Sequence, residues 1–407
     1  MKKIKLGDLL TIKHGYAFKS EHYLNDGNFA LVTLANISES NNFQFDKEKL
    51  TYYGASFPQD VILKEGDLIL PMTEQVIGLL GNSAFIPAVD GFSFVLNQRV
   101  GKVIPSSNVD KYYLHYLLAT KEVKTQLEYR ASGTKQRNIS PENIYDVTVL
   151  VPDLPSQKKI GAVLYSLEQK INLNKKINAT LEAMAKTLYD YWFVQFDFPD
   201  ENGKPYKTSG GKMIYSSELG RDIPVGWKVQ NLSEITTIIQ GNSPDGSTLN
   251  DTGEGTIFFQ GKTDFGFRFP EVRIYTTAPY RLAEKFDTLL SVRAPVGDAN
   301  MAYEKCCIGR GLAAIHSDYP SFIYYTLKKL KPIFEKLGSI GTTFDSITKN
   351  DVMALKICIP PTKFVEKFEN VVSKFDTEIF SNTNESRQLA ALRDWLLPML
   401  MNGQVLC

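Results

Sequence analysis

The chain has few of the residues that build covalent or metal-held scaffolds. Four cysteines in 407 residues, two of them adjacent at Cys306 and Cys307, make no disulfide framework and no paired CxxC spacing. The four histidines, His14, His22, His115 and His316, are scattered, so their spacing gives no support to a metal site. Excess charge of one sign is also lacking. Lys and Arg number 46 against 45 Asp and Glu, a formal net charge of +1, which excludes a generally basic nucleic-acid coat. Any DNA contact must come from local patches, which suits selective binding. No apolar run approaches the ~18 residues of a membrane span. The start, Met-Lys-Lys-Ile-Lys, has the charge of a signal-peptide n-region, but Gly7, Asp8 and Lys13 interrupt any apolar stretch after it. These absences predict a reduced, cytoplasmic, globular chain.

Catalytic signatures are missing as well. There is no GxxxxGK[ST] phosphate loop for an ATP-driven motor. The nearest string to the acidic-Pro-Pro-aromatic loop of an amino-methyltransferase, Ile359-Pro360-Pro361-Thr362, has neither the polar nor the aromatic residue. Asp200, Glu201 and Lys204 are wrongly spaced for a nuclease carboxylate–lysine set and read as a solvated turn in a polar linker.

What is present is repetition. SGTKQRNISPENIYDVTVLVPDLP (Ser132–Pro155) matches IGTTFDSITKNDVMALKICIPPTK (Ile340–Lys363) at a constant offset of 341 − 133 = 208 residues. Upstream, LGDLL at Leu6 aligns with LSEIT at Leu232, an offset of 226, so the first copy is longer inside by 226 − 208 = 18 residues. Each half is a variable globular region followed by a helix of fixed length.

Within the globular halves, Phe29–Ile37, Asp67–Met72 and Phe94–Ile104 read as strands, as do GTIFFQ, DTLLSVR and CIGRGLAAI in the second copy. Helices are expected near Asp110–Tyr129 and Pro320–Leu337. Strands and helices do not alternate regularly. The expected class is therefore α+β: two mixed α/β domains in tandem, each followed by a long helix. Ser156 is the expected N-cap of the first helix, whose apolar residues recur from Ile160 and Leu164 to Leu188 and Tyr191. The second copy repeats this from Phe368 to Met399. At ~1.5 Å per residue, roughly 37 residues make a rod of about 55 Å. Two equal rods at the ends of tandem copies suggest an antiparallel coiled coil with pseudo-twofold symmetry. Asn174 and Asn382 sit on the apolar seams at the two rod midpoints, where polar side chains fix register. Flush antiparallel rods would bring these two amides face to face. The expected boundaries are 1–152 for the first globular part, 199–360 for the linker and the second, and 153–198 and 361–407 for the helices.

Several segments carry a family resemblance: HGYAFKSEHY…FALVTLANI (His14–Ile37), VLNQRVGKVIP (Val95–Pro105), SVRAPVGDANMA…CIGRGLAAI (Ser291–Ile315), SGTKQRNIS with VPDLPSQKKI, and WLLPMLMNGQV (Trp395–Val405). Placed in the right order along essentially the whole chain, and twice over, they resemble specificity subunits of type I restriction–modification enzymes. The linker Asp197–Gly220 is longer and more polar than a minimal turn. The resemblance implies two target-recognition domains that each read one half of a split DNA site. It also implies helices that form the spacer and dock two modification subunits. No cofactor would be held by this chain. S-adenosylmethionine, Mg and ATP would belong to the modification and restriction subunits. Two alternatives remain at this point: a specificity half borrowed by a single-chain restriction enzyme, and a structural adaptor without DNA reading.

Candidate DNA contacts are loops with donors beside small residues. Thr134, Lys135, Gln136 and Arg137 follow Gly133; Arg can bind guanine bidentately, Gln adenine, and Lys phosphate. The matching loop, Thr342 and Thr343 with Phe344, is far less basic, as expected if the halves read different bases. Lys13, Tyr16 and Lys19 flank a turn at Gly15. Lys262, Arg268 and Arg273 interleave with Phe265, Phe267 and Phe269 and are expected to line a second groove. Arg99 and Arg310, read as matching positions just inside strands, are expected to form buried ion pairs.

Overall fold

The computed structural model describes residues 1–38, 40–75, 78–133, 136–339 and 346–405. The chain divides into two compact units, Met1–Asn172 with Ser386–Cys407, and Leu173–Glu385.

In the first unit, strands Leu10–His14, Val100–Pro105, Leu68–Pro71 and Ala84–Phe85 form an antiparallel sheet in that spatial order. A second sheet places Phe29–Val32 parallel to Ser93–Leu96, with Tyr52–Tyr53 and Tyr23–Leu24 beyond. Lys2–Lys5 pairs with Thr148–Val151. Two short helices, Lys111–Leu118 and Lys121–Arg130, stand where the sequence suggests one. Asp110 caps the first by accepting from the N–H groups of Tyr112 and Tyr113. Two more contributions close the core. Ile160 and Leu164 come from a long helix, Leu154–Tyr189, and Leu400 and Met401 from another, Thr362–Met401. The N-cap of the first long helix is Asp153, whose carboxylate accepts from the Ser156 N–H, rather than the expected Ser156.

The second unit repeats the plan. Thr237–Gln240, Leu312–His316, Thr288–Ser291 and Ala299–Met301 form the antiparallel sheet, and Thr256–Phe259 runs parallel to Cys306–Ile308 in the other. Lys228–Asn231 pairs with Lys356–Ile359, repeating the terminal pairing of the first unit. The polar linker holds a hairpin, Met213–Ser216 with Arg221–Pro224, and Asp200 accepts from the N–H groups of Asn202 and Lys204, which makes this stretch a turn. An aromatic core built on Tyr189, Phe193, Phe198, Trp227, Phe322 and Phe368 joins both long helices to the sheet.

Contacts inside each unit give the direction of the helix pair. In the second unit, Asn174 meets Asn382 and Glu385, Asn178 meets Ile379 and Thr383, and Glu182 and Asp376 share one arginine. Residue numbers fall on one helix as they rise on the other, so the helices are antiparallel. The expected amide-to-amide contact takes another form. Asn174 Nδ2 donates to the main-chain oxygen of Asn382 at 3.4 Å and to Glu385 at 2.7 Å, while Asn382 Nδ2 donates to Asn178 Oδ1 at 3.1 Å. One side-chain pair would leave half of each amide buried without a partner. Recruiting Asn178, Thr383 and Glu385 gives the layer more acceptors and donors.

Arg268 lies at the centre of the second unit, only 1% exposed. Its guanidinium donates to Glu182 at 2.8 Å and Tyr325 at 3.2 Å, pairs with Asp376, and stacks 3.6 Å above the Tyr324 ring. Burial alone would raise Glu182, but Arg268 and Lys328 outweigh it and hold its carboxyl below the usual range. The expected DNA contact at Arg268 is thereby corrected, because a side chain this enclosed ties the sheet to both helices. Arg268→Ala should destabilise the chain by about 3–5 kcal/mol, since it leaves two carboxylates buried without their cation. Urea denaturation measures this. Unchanged stability with weakened DNA binding would restore the contact role.

Candidate nucleic-acid interface

The same backbone crossing occurs once in each unit. In the first, the turn at Gly15 lies against the loop Asn97–Arg99. Tyr16 N–H donates to Leu96 O at 2.9 Å, Gln98 N–H to Tyr16 O at 3.0 Å, and Val100 N–H to Asn97 O at 2.9 Å. A Cβ on Gly15 would collide with the Asn97 carbonyl, so glycine is required by close approach. Met72 N–H then donates to Arg99 O at 2.9 Å, and Ile139 N–H to Met72 O at 3.0 Å. Directly beyond, Thr73 and Glu74 pair with Asn138 and Arg137. Four distant stretches of sequence are thus hydrogen-bonded in series at one end of the sheet.

The second unit builds the crossing from matching atoms. Gly241 lies against the Gly309 carbonyl, where a Cβ would again collide. Asn242 N–H donates to Ile308 O at 3.1 Å, Leu312 N–H to Gly309 O at 3.0 Å, Val292 N–H to Gly311 O at 2.9 Å, and Ile347 N–H to Val292 O at 3.0 Å. Arg293 bridges to Ser346 as Thr73 pairs with Asn138. The offset between copies falls from 226 at Gly15 to 220 at Met72, 212 at Val100 and 208 at Ile139, so the extra residues of the first copy are distributed over the three intervening stretches. This corrects the alignment of the arginines. At an offset of 212, Arg310 matches Gln98, and Arg99 matches Gly311. Their environment is corrected too. The expected strands Phe94–Ile104 and CIGRGLAAI are each broken here, into Ser93–Leu96 and Val100–Pro105, and Cys306–Ile308 and Leu312–His316. Arg99 and Arg310 are exposed on loops between those strands and form no ion pair among the described residues.

The other expected cationic contacts among the described residues carry acidic partners. Arg137 pairs with Glu74, which is 1% exposed and also accepts from the N–H groups of Gly78, Leu79 and Leu80 at 3.0–3.2 Å. Gln136 donates to Asn138 at 3.3 Å. Lys13 bonds Asp60 at 2.6 Å and holds that carboxyl below its ordinary range. Lys19 lies 3.9 Å from Glu21, and Tyr16 is half-buried edge-on to Phe18. Lys262 pairs with Asp298, which also receives Lys331 at 2.6 Å; burial would raise this carboxyl, but the two lysines keep it low. Arg273 meets Asp264 at 2.9 Å. Phe269 is in the core while Phe267 is 60% exposed, so the interleaved aromatics do not form one platform. Thr134, Lys135, Thr342 and Thr343 lie outside the described residues. Among the described residues there is no His, Cys, Asp or Glu group that could hold a metal, and no helix is long and apolar enough to cross a membrane.

Two exposed donor-bearing loops on rigid, duplicated frames are suited to hydrogen bonding with an external polymer. The family model for the type I restriction modification DNA specificity domain matches residues 1–183 and again 224–389. The chain belongs to this family. It is 33% identical over 313 residues to the MjaX type I restriction enzyme specificity subunit of Methanocaldococcus jannaschii, covering 74% of this chain and 70% of that one. The HindI specificity subunit of Haemophilus influenzae is 23% identical over 386 residues, covering 77% and 82%. The crystal structure of a type I restriction–modification system S subunit from M. genitalium shares the fold, with a TM-score of 0.65 at 16% identity over 98% of this chain and 96% of that one.

Membership of the specificity-domain family makes the Arg137–Glu74 pair worth testing as a brace. Glu74→Ala should cost about 3 kcal/mol or more in stability, since it strips the acceptor from three main-chain donors and a half-buried cation. Urea denaturation checks it. Weakened DNA binding at unchanged stability would instead show that Glu74 merely neighbours a freely reading Arg137.

Proposed function

We propose that this chain is the non-catalytic, sequence-specific DNA-binding subunit of a type I restriction–modification complex, each globular domain reading one half of a bipartite, asymmetric target. The observation that carries this reading is the duplicated crossing. One backbone frame is built twice, while the side chains that it exposes differ, as two half-sites of different sequence require. The first functional domain runs over 1–152 and the linker with the second over 199–360, with helical regions 153–198 and 361–407 setting the gap between half-sites. Two modification subunits dock on the helices, and restriction subunits join them. S-adenosylmethionine, Mg and ATP stay with those partners, and the complex acts in the cytoplasm, where the DNA is.

The purified chain mixed with S-adenosylmethionine and DNA should yield no methylation, and adding a cognate modification subunit should yield adenine methylation at one split motif. Methylation-sensitive sequencing reads the motif. Robust methylation by the chain alone would falsify the scaffold reading. Replacing residues 1–152 with another such domain should rewrite one half of the motif and leave the other intact; a swap that rewrites both halves would defeat independent reading. Inserting four residues, about one turn, into one long helix should alter the gap but not the bases. An unchanged gap with altered base preferences would remove the spacer role.

A further inference from the structure

The chain has eleven arginines. Eight are engaged. Arg137, Arg268, Arg273 and Arg393 meet carboxylates, Arg130 bonds main-chain oxygens, Arg221 and Arg281 stack on Phe196 and Tyr280, and Arg387 also has a partner. The guanidinium groups of the remaining three, Arg99, Arg293 and Arg310, have no hydrogen-bond, ion-pair or ring partner among the described residues. All three are exposed, and all three sit on the duplicated crossing. Arg99 is on the loop held by Gly15. Arg310 is on the loop held by Gly241, and Arg293 follows Val292, whose N–H bonds that loop at Gly311.

We propose that Arg99 in the first unit, and Arg293 and Arg310 in the second, are specificity-determining residues that each read a guanine in the major groove. This rests on the DNA-reading function proposed above. A paired guanidinium must give up its carboxylate before it can bind a base edge, whereas these three need shed only water. Their main chains are fixed by hydrogen bonds on both sides, so the fork of donors is aimed by the fold rather than by a mobile loop. A planar fork matches the O6 and N7 acceptors of guanine, a contact that also discriminates against other bases. The position matching Arg310 is Gln98, also exposed, and the position matching Arg293 is Thr73, which is buried and bonded to Asn138. One frame thus offers Gln98 and Arg99 in one unit and Arg310 and Arg293 in the other.

The test uses the full chain in complex with its modification subunit, with methylated motifs mapped by sequencing and binding measured on duplexes altered one base pair at a time. Arg99→Ala should relax one G·C position in one half-site. Arg310→Ala and Arg293→Ala should each relax one position in the other half-site. Each change should reduce discrimination about 5- to 150-fold. Thermal melting should be unchanged, since no partner among the described residues is lost. Arg99→Lys and Arg310→Lys keep the charge but lose the fork, so they should lower selectivity more than affinity at low salt. Weaker binding spread evenly over all duplexes would mean phosphate contacts and overturn base reading, as would motifs unaltered in every variant. If the unmodified complex itself shows no sequence preference, the DNA-reading function fails, a result distinct from a selective wild type whose arginine variants keep its motif.

Discussion

The structure depends on two close approaches, Gly15 against the Asn97 carbonyl and Gly241 against the Gly309 carbonyl. A methyl group at either glycine would overlap an oxygen that the crossing chain cannot move, since that chain is anchored by hydrogen bonds before and after the contact. Because the chains cross this tightly, the long strand expected on each side must break. The break leaves a loop of three residues held by backbone hydrogen bonds, with Gln98 and Arg99 exposed on it in the first unit and Arg310 in the second. A binding site made this way places donors by rigid elements, which favours selectivity over adaptability.

Charge is used in two distinct ways around that crossing. Most cations in the candidate regions are matched by acids. Glu74 neutralises Arg137 and caps three main-chain N–H groups, Asp298 gathers Lys262 and Lys331, and Glu182 with Asp376 encloses Arg268. These pairs hold loops and helices in place. The near-zero net charge follows from this, since structural cations come with structural anions. What remains unbalanced is local, on exposed loops. A chain with such a distribution gains little from long-range attraction to phosphate and depends on contacts that discriminate.

Much of the architecture was legible in the sequence. The constant offset of 208 residues exposed the duplication, and the 3.6-residue periodicity located both long helices because their apolar faces are long and regular. The antiparallel direction followed from tandem order. The errors have physical causes. Asp153 outcompetes Ser156 as a cap because its carboxylate reaches the Ser156 N–H, leaving Pro155 within the first turn, where a missing N–H costs nothing. VLNQRVGKVI alternates well enough to pass for one strand, and only the distant Gly15 turn, which the local pattern does not contain, interrupts it. Arg268 looked like a groove cation because it follows a basic, aromatic segment; its acids lie 86 residues before it and 108 after. Arg310 was matched to Arg99 by residue type, whereas backbone pairing matches it to Gln98.

That last mismatch bears on how such a protein changes what it reads. Substituting an exposed side chain without internal partners usually alters stability by no more than about 0.5 kcal/mol. Substituting a buried, hydrogen-bonded one costs several times that. A frame that separates the two kinds of position lets exposed residues vary while the crossing stays intact. Gln98 against Arg310 and Arg99 against Gly311 are differences of this kind, made on matching backbone atoms in two copies of one fold. Thr73 against Arg293 goes further. In the first copy the threonine hydroxyl bonds Asn138, so the position serves the interior, while in the second it carries an exposed guanidinium without a partner among the described residues. The duplicated halves therefore differ in which positions they expose as well as in the residues placed there. Two domains of the same topology can then recognise unrelated sequences without either having to repack its core.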